Sequence, residues 1–419
     1  MRISFSRLHD KTTQPQTDKT TMSHFLNDKI FLGHSFNEYM RIVVSNPLNW
    51  MLGIVLLIGI PLLLQRYILG IHSVTHSSQD YPWGIMLGFG LFGMVPLSAS
   101  GFLLSTSVEI FGRKDFQPIE RLALLNGLLG YFFAVVYLLV DLGMPWRLAY
   151  PMFVSLGPAA VLFLVAWHVA TYLSVQIAEL IPAFSEWINW PQGKRFITKI
   201  ALGLTIAGII LSTLHQGALG ALFCYAPAKI HPLWISPEFQ WIHFFCSSIY
   251  AGLCMVIVVS TLLERYMRWR CDNTFLSNLE RITFGLAKGA SYAMITYITI
   301  KIVAVAHDQE WSYLLTGWGG YYLFEIGLSV VLPLCLIAYG IRNHQLAMLR
   351  WAALIGVIGI IWNRLNTVLI CYNWQHHQEI PHIKEFWLVL TILALYVIIY
   401  RFFLYRLPIL FSWPPTPGR

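Results

Sequence analysis

Seven polar residues inside long apolar runs could do chemistry: His168, His215, Gln216, Asp141, Lys301, Glu325 and Arg364. An imidazole donates at one nitrogen, accepts at the other, and titrates close to neutral pH. A carboxylate takes up or releases a proton, and a guanidinium stabilises developing negative charge. Together these are donors, acceptors and proton-carrying groups where apolar residues are the rule. An ionisable group in an apolar run costs several kcal/mol unless paired or hydrated, so each is a functional candidate. Each also has a structural alternative. Asp141 stands beside Gly143 and Pro145 and could end a helix; Arg364 and Lys301 could snorkel to an interface; Glu325 and Lys301 could form one ion pair. His168 could be a hydrogen-bonded core histidine. His215 is the sharpest candidate, because His-Gln is followed by Gly217 and Gly220, where backbones pack closely.

The elements that must carry these residues follow from composition. Of 419 residues, 57% are apolar and 11% charged, against about 25% charged in soluble domains. This excludes a soluble enzyme, a disordered chain and a disulfide-stapled module. The class that remains is all-α and polytopic, with apolar runs long enough to cross a hydrocarbon core of about 30 Å. Ten spans are predicted, over 49–70, 84–108, 120–143, 156–181, 196–224, 241–264, 281–305, 317–341, 347–372 and 384–407. They make one membrane domain over 46–410, between a polar, disordered cytoplasmic leader (1–45) and a short cytoplasmic tail (411–419). No secretory signal opens the chain, and Met22 is an alternative start.

Alternate loops carry twelve Lys and Arg, the others four. The richer set belongs in the cytoplasm, so both termini are expected inside, in a bacterial inner membrane. Counting 1.5 Å per residue, His215 and Glu325 lie about 8 Å to the outer side of their span midpoints and Arg364 about 5 Å. Asp141 and Lys301 lie about 12 Å or more out, and His168 alone is near the midplane. The polar chemistry therefore gathers toward the periplasm. Spans two to five and six to nine share a layout, which predicts two parallel four-helix bundles with the first and last spans added outside.

The net charge of +8 is scattered between spans and implies membrane topology and lipid contact, with no nucleic-acid partner. Six cysteines without a CxxC give no metal or iron–sulfur spacing, and no metal site is expected. Haem within a membrane is held by histidines at matching depth. His168 and His215 differ by about 8 Å on the helical count, so no haem is expected. A b-haem anchor and a secondary transporter remain the rival readings. The transporter is disfavoured because the polar groups crowd one side and no span reads as broken at its centre.

Several segments resemble the NrfD/PsrC family, the membrane subunits of polysulfide reductase and its relatives. They are Tyr81-Pro-Trp-Gly84, Val140-Asp-Leu-Gly143, Leu211–Leu222 (LSTLHQGALGAL), Lys229-Ile-His-Pro-Leu-Trp234, Trp362-Asn-Arg-Leu365 with Tyr372-Asn373, and Arg406-Leu-Pro-Ile-Leu410. The similarity runs in order over about residues 50–410 and is greatest to HybB-type membrane subunits of periplasmic nickel–iron hydrogenases. It implies a haem-free subunit, non-catalytic alone, that exchanges electrons between menaquinone or ubiquinone and a periplasmic, ferredoxin-like iron–sulfur subunit. The catalytic partner would be a hydrogenase, a molybdoenzyme or a multihaem cytochrome. On this reading His215, Gln216, Asp141 and Arg364 bind quinone and transfer protons, and Glu325, Lys301 and His168 form a proton pathway. The chain has Gly90 and Leu164 where the hydrogenase subunits carry acids, while Glu325 matches. The family's transmembrane proton route does not carry over at those two positions.

Overall fold

The computed structural model describes residues 29–226, 229–376 and 380–411. Among them are ten helices long and apolar enough to cross a bilayer. In order they are Pro47–Leu69, Met86–Ile110, Lys114–Asp141, Val161–Ile188, Pro191–Phe223, Gln240–Tyr266, Asn273–His307, Gly317–Arg342, Leu346–Ile370 and Ile383–Arg406, here the first to tenth spans. Their starts follow ordinary capping chemistry. Asn46 accepts from the Leu48 N–H ahead of Pro47, and Asp272 accepts from the Phe275 N–H at 2.7 Å. The fourth span begins at Val161, five residues later than its apolar run suggests, and continues to Ile188. A turn closed by Ala160 N–H to Gly157 O, around Pro158, occupies the gap.

The second to fifth spans close into one four-helix ring, each packing on its sequence neighbour and the fifth back on the second. The sixth to ninth close in the same way. The rings meet where the second span packs on the sixth, flanked by second-on-ninth and fifth-on-sixth contacts. These are the pairings a parallel two-fold repeat would generate. At the centre a Cβ on Gly252 would fall 2.7 Å from the Ser100 backbone nitrogen, so glycine is what lets the two spans touch. The tenth span packs on the third and second, and the first span packs against the tenth. Both added helices therefore lie on the first bundle.

Two expectations need correction. The leader 1–45 is not wholly irregular: Phe36–Ser45 is a helix with a reciprocal cap, Ser35 N–H to Glu38 Oε2 at 3.1 Å and Glu38 N–H to Ser35 Oγ at 3.4 Å. Residues 1–28 and 412–419, the rest of the leader and most of the tail, lie outside the described residues. The second span is interrupted at its centre, at Ser98–Ala99, just after Pro96, which has no N–H to donate. Both residues keep near-helical dihedrals (φ −82°, ψ −6° and φ −61°, ψ −14°), so the break is a kinked turn and not an unwound segment.

The first and last described segments meet at one face, where Arg406 donates to the Ile30 carbonyl and to Tyr39 Oη at 2.9 Å. Glu186 is clamped there by Arg121 at 2.7 Å and Lys194 at 2.8 Å. The opposite face, called the far face below, is closed by two loops. His231 N–H donates to Cys371 O at 3.0 Å, and its ring is boxed by Trp234, Tyr313, Trp318 and Trp374 at 4.6–5.3 Å between centroids. Burial among these rings pushes the His231 imidazole down to about 4. It is neutral at neutral pH, and Nδ1 accepts from the Leu233 N–H at 3.2 Å.

Candidate functional site

Adjacent residues on a helix point about 100° apart, so His215 and Gln216 face different neighbours. Tyr131 of the third span reaches both. Its ring packs 5.4 Å from that of His215, and its hydroxyl accepts from Gln216 Nε2 at 3.3 Å. Gln216 also donates to Val95 O at 3.2 Å, beside the kink of the second span, so its amide ties three helices together. His215 differs. It is 0% exposed, and neither ring nitrogen has a partner in hydrogen-bond geometry. The Val165 backbone, one turn before His168 on the fourth span, lies within hydrogen-bonding reach of the ring.

Towards the centre of the first bundle, Ser212 Oγ, Tyr172 Oη and the Gln176 amide are buried close together. Ser212 is within reach of the Tyr131 and Tyr172 hydroxyls and Gln176 within reach of Tyr172, and the Tyr131 and Tyr172 rings touch edge to face at 4.8 Å. Buried polar atoms are nearly always satisfied by protein, water or ligand. Together these side chains form a buried polar column beneath the His215 imidazole.

His168 is not at mid-depth. It is seven residues from the far-face end of the fourth span, about 10 Å by helical rise, and His215 is eight residues from that end of the fifth, about 12 Å. The late start of the fourth span makes them level, and His168 is the titratable neighbour that acts on His215. This removes the depth argument against haem. The fourth and fifth spans pack directly together, and Tyr131 covers the fully buried His215 ring.

Asp141 does not join His215. It ends the third span ten residues beyond Tyr131, about 15 Å along the helix. Arg66 is 2% exposed there. It caps the helix end, donating through Nε to Val140 O at 2.5 Å and through Nη2 to Leu142 O.

Arg364, Glu325 and Lys301 belong to the second bundle. Glu325 accepts from Asn363 Nδ2 at 2.5 Å, Asn366 Nδ2 at 2.6 Å and Trp234 Nε1 at 2.8 Å. The carboxylate is thus held by three neutral donors, and no ion pair within 4.0 Å joins it to Lys301. Lys301 does not snorkel: it is 7% exposed, between the rings of Tyr297 and Tyr322 at 5.9 and 5.8 Å. Arg364 donates to Asn363 Oδ1 at 3.0 Å and Ser247 Oγ at 2.5 Å, with its guanidinium 3.6 Å from the Phe244 centroid. Local helical geometry allows these reaches, because a π-helical turn follows Glu325 (Gly327–Val331) and another follows Arg364 (Asn366–Ile370).

Tyr131, Ser212 and His243 escaped the sequence reading. His243 is 2% exposed, and neither of its ring nitrogens has a partner in hydrogen-bond geometry. Its in-span position could have flagged it; nothing in the sequence distinguishes Tyr131 from other apolar-run tyrosines.

The fold and these buried clusters define a ten-span helical membrane protein of two parallel four-helix bundles plus two added helices. The chain belongs to the family described as polysulphide reductase, NrfD, whose model matches residues 73–376. A protein of Nitratidesulfovibrio vulgaris is 41% identical over 374 residues, covering 88% of this chain and 96% of that one. The probable Ni/Fe-hydrogenase 2 b-type cytochrome subunit of Escherichia coli is 25% identical over 375 residues, 88% of this chain and 93% of its own. The integral membrane subunit of menaquinone reductase from N. vulgaris is 24% identical over 322 residues, 70% and 73% respectively.

Proposed function

We propose that this chain is the quinone-reactive integral subunit of a respiratory oxidoreductase complex in the bacterial cytoplasmic membrane. It passes electrons between the quinone pool and an iron–sulfur subunit bound at the far face, which serves a catalytic partner of hydrogenase or reductase type. The relatives' names, hydrogenase subunit and menaquinone reductase subunit, favour this class. The observation that carries it is His215: a fully buried imidazole that approaches the Val165 backbone without a hydrogen bond of good geometry, in the half of the bilayer nearest the far face. Quinone supplies the redox chemistry when bound. One His215 nitrogen donates to a ring carbonyl while the other exchanges a proton with His168 or the polar column. Leu214, next in sequence, is 49% exposed on the bilayer-facing side, so His215 lies just behind the lipid surface from which a quinone would enter. On this reading Gln216 holds Tyr131 in place, Asp141 and Arg364 are structural, and the electron partner seats over the far-face cavity. That cavity, about 340 Å³, is lined by Asp80, Tyr81, Lys229, Asn373 and Trp374.

The direct test is ligand binding. The full chain in lipid nanodiscs should take up about one menaquinone or ubiquinone analogue per protein, saturably, and Tyr131→Phe should weaken uptake several-fold by freeing Gln216. Absence of saturable uptake by the wild-type chain would remove the reading. The visible spectrum of the same sample is expected to lack a b-haem Soret band, as the family resemblance implies; stoichiometric haem would make the b-haem anchor correct. Orientation follows from the basic loops. Reporters fused after residue 230 should read periplasm and after residue 270 cytoplasm, and the reverse pattern would put the partner on the other side.

A further inference from the structure

At the far face, three potential metal ligands converge where the chain enters the sixth span and leaves the seventh. Glu238 precedes the sixth, His307 is the last residue of the seventh, and Asp308 caps it, its N–H donating to Ala304 O at 2.9 Å. One carboxylate oxygen of each acid and one ring nitrogen of His307 all lie within 4.8 Å of one another. His307 Nδ1 and Asp308 Oδ1 are 2.9 Å apart. Ligands at about 2.0–2.2 Å from a tetrahedral zinc stand roughly 3.4 Å from each other, so closing the set around an ion needs a side-chain movement of about 1 Å. The imidazole is already oriented: the Phe239 ring meets it edge to face at 5.4 Å.

A second observation comes from beneath the cluster. Asp308 also lines a narrow cavity, of about 10 Å³, that continues past Glu310 and Ser236 to Lys301 and His243. That is room for about one water. His243, 2% exposed with two unpartnered nitrogens, faces this cavity. Asp308 is thus shared between the cluster and a small polar cavity in the second bundle, away from the His215 column in the first.

We propose that Glu238, His307 and Asp308 bind a divalent transition ion of the zinc type, with an open fourth position. One nitrogen and two oxygens suit zinc, and copper(II) or nickel(II) as competitors, better than calcium, which takes six to eight oxygens. An ion there ties the far ends of the sixth and seventh spans together and is joined through Asp308 to the cavity lined by His243 and Lys301. The proposal is independent of the quinone reading, because it concerns binding to the chain itself.

The test titrates zinc chloride into the full chain in nanodiscs by calorimetry. One site of micromolar affinity is expected. His307→Ala should weaken it by about 30-fold or more, and Glu238→Gln and Asp308→Asn each by about 10-fold, as is usual when a ligand or its support is removed. An imidazole pair elsewhere on this face, His76 and His382 at 4.8 Å between centroids, is the control. His76→Ala should leave the affinity unchanged. Thermal midpoints without metal keep the comparison to folded protein, and the three variants act on separate residues should one fold poorly. No saturable binding to the wild-type chain up to about 1 mM, equal binding by all three variants, or loss of the site in His76→Ala alone would each overturn the proposal.

Discussion

Replacing His215 by alanine is expected to cut quinone-linked turnover by about 10²-fold or more, the usual cost of deleting a positioned proton-transfer group. That corresponds to about 2.7 kcal/mol of lost transition-state stabilisation. The substitution removes a side chain whose ring nitrogens make no hydrogen bond of good geometry, so little structural support is lost. The complex should assemble and keep its catalytic partner's activity with an artificial electron acceptor. Asp141→Asn is the contrasting variant. Asp141 lies about 15 Å along the third span from Tyr131, at a helix end that Arg66 caps. Its loss should leave quinone turnover within about twofold, as surface-type changes do. Turnover at the wild-type rate in an assembled His215→Ala complex would move the site elsewhere.

The second large effect is on stability. Glu325→Gln is nearly isosteric, yet it should lower the thermal midpoint of the purified chain markedly and reduce its yield in membranes. One carboxylate oxygen accepts from Asn363, and the other accepts from both Trp234 and Asn366. An amide presents one acceptor and one donor, so in either orientation a buried donor faces N–H instead of oxygen. Each unmet buried group costs about 1–3 kcal/mol, more where a charge has been removed. Pairing Glu325→Gln with Asn363→Asp tests the cause. The introduced amide would then donate to the new carboxylate of the ninth span and accept from Trp234 and Asn366, and much of the loss should return. An unshifted midpoint in the single variant, with a defect confined to proton coupling, would restore Glu325 to the proton pathway.

Several site features were legible one residue at a time. His215 stands out because a titratable group in an apolar run is costly wherever the helix packs, and the cost is a property of the residue and its run. Its neighbours were not legible. Which side chains face it depends on the rotation of the third and fourth spans about their axes, set by packing, and mostly apolar helices give weak sequence signals for that rotation. Tyr131 looks like any span tyrosine until its hydroxyl is found on Gln216. His168 was misplaced for a related reason: hydropathy marks where a segment is apolar, and the Pro158 turn is apolar without being helical.

The all-α class, the ten spans and their grouping into two bundles could be read from the chain before any contact was known. Transfer of residues into a bilayer is summed along the chain, residue by residue. How the bundles meet, through the close approach of Gly252 to Ser100, and what holds each buried charge became visible in the packed molecule alone. Lys301 and Glu325 have opposite charge and similar estimated depth, which suggests a pair. The fold instead gives Glu325 three neutral donors and sets Lys301 between two rings. Hydrogen bonds act over about 3 Å and require direction, and neither quantity exists until helices are packed.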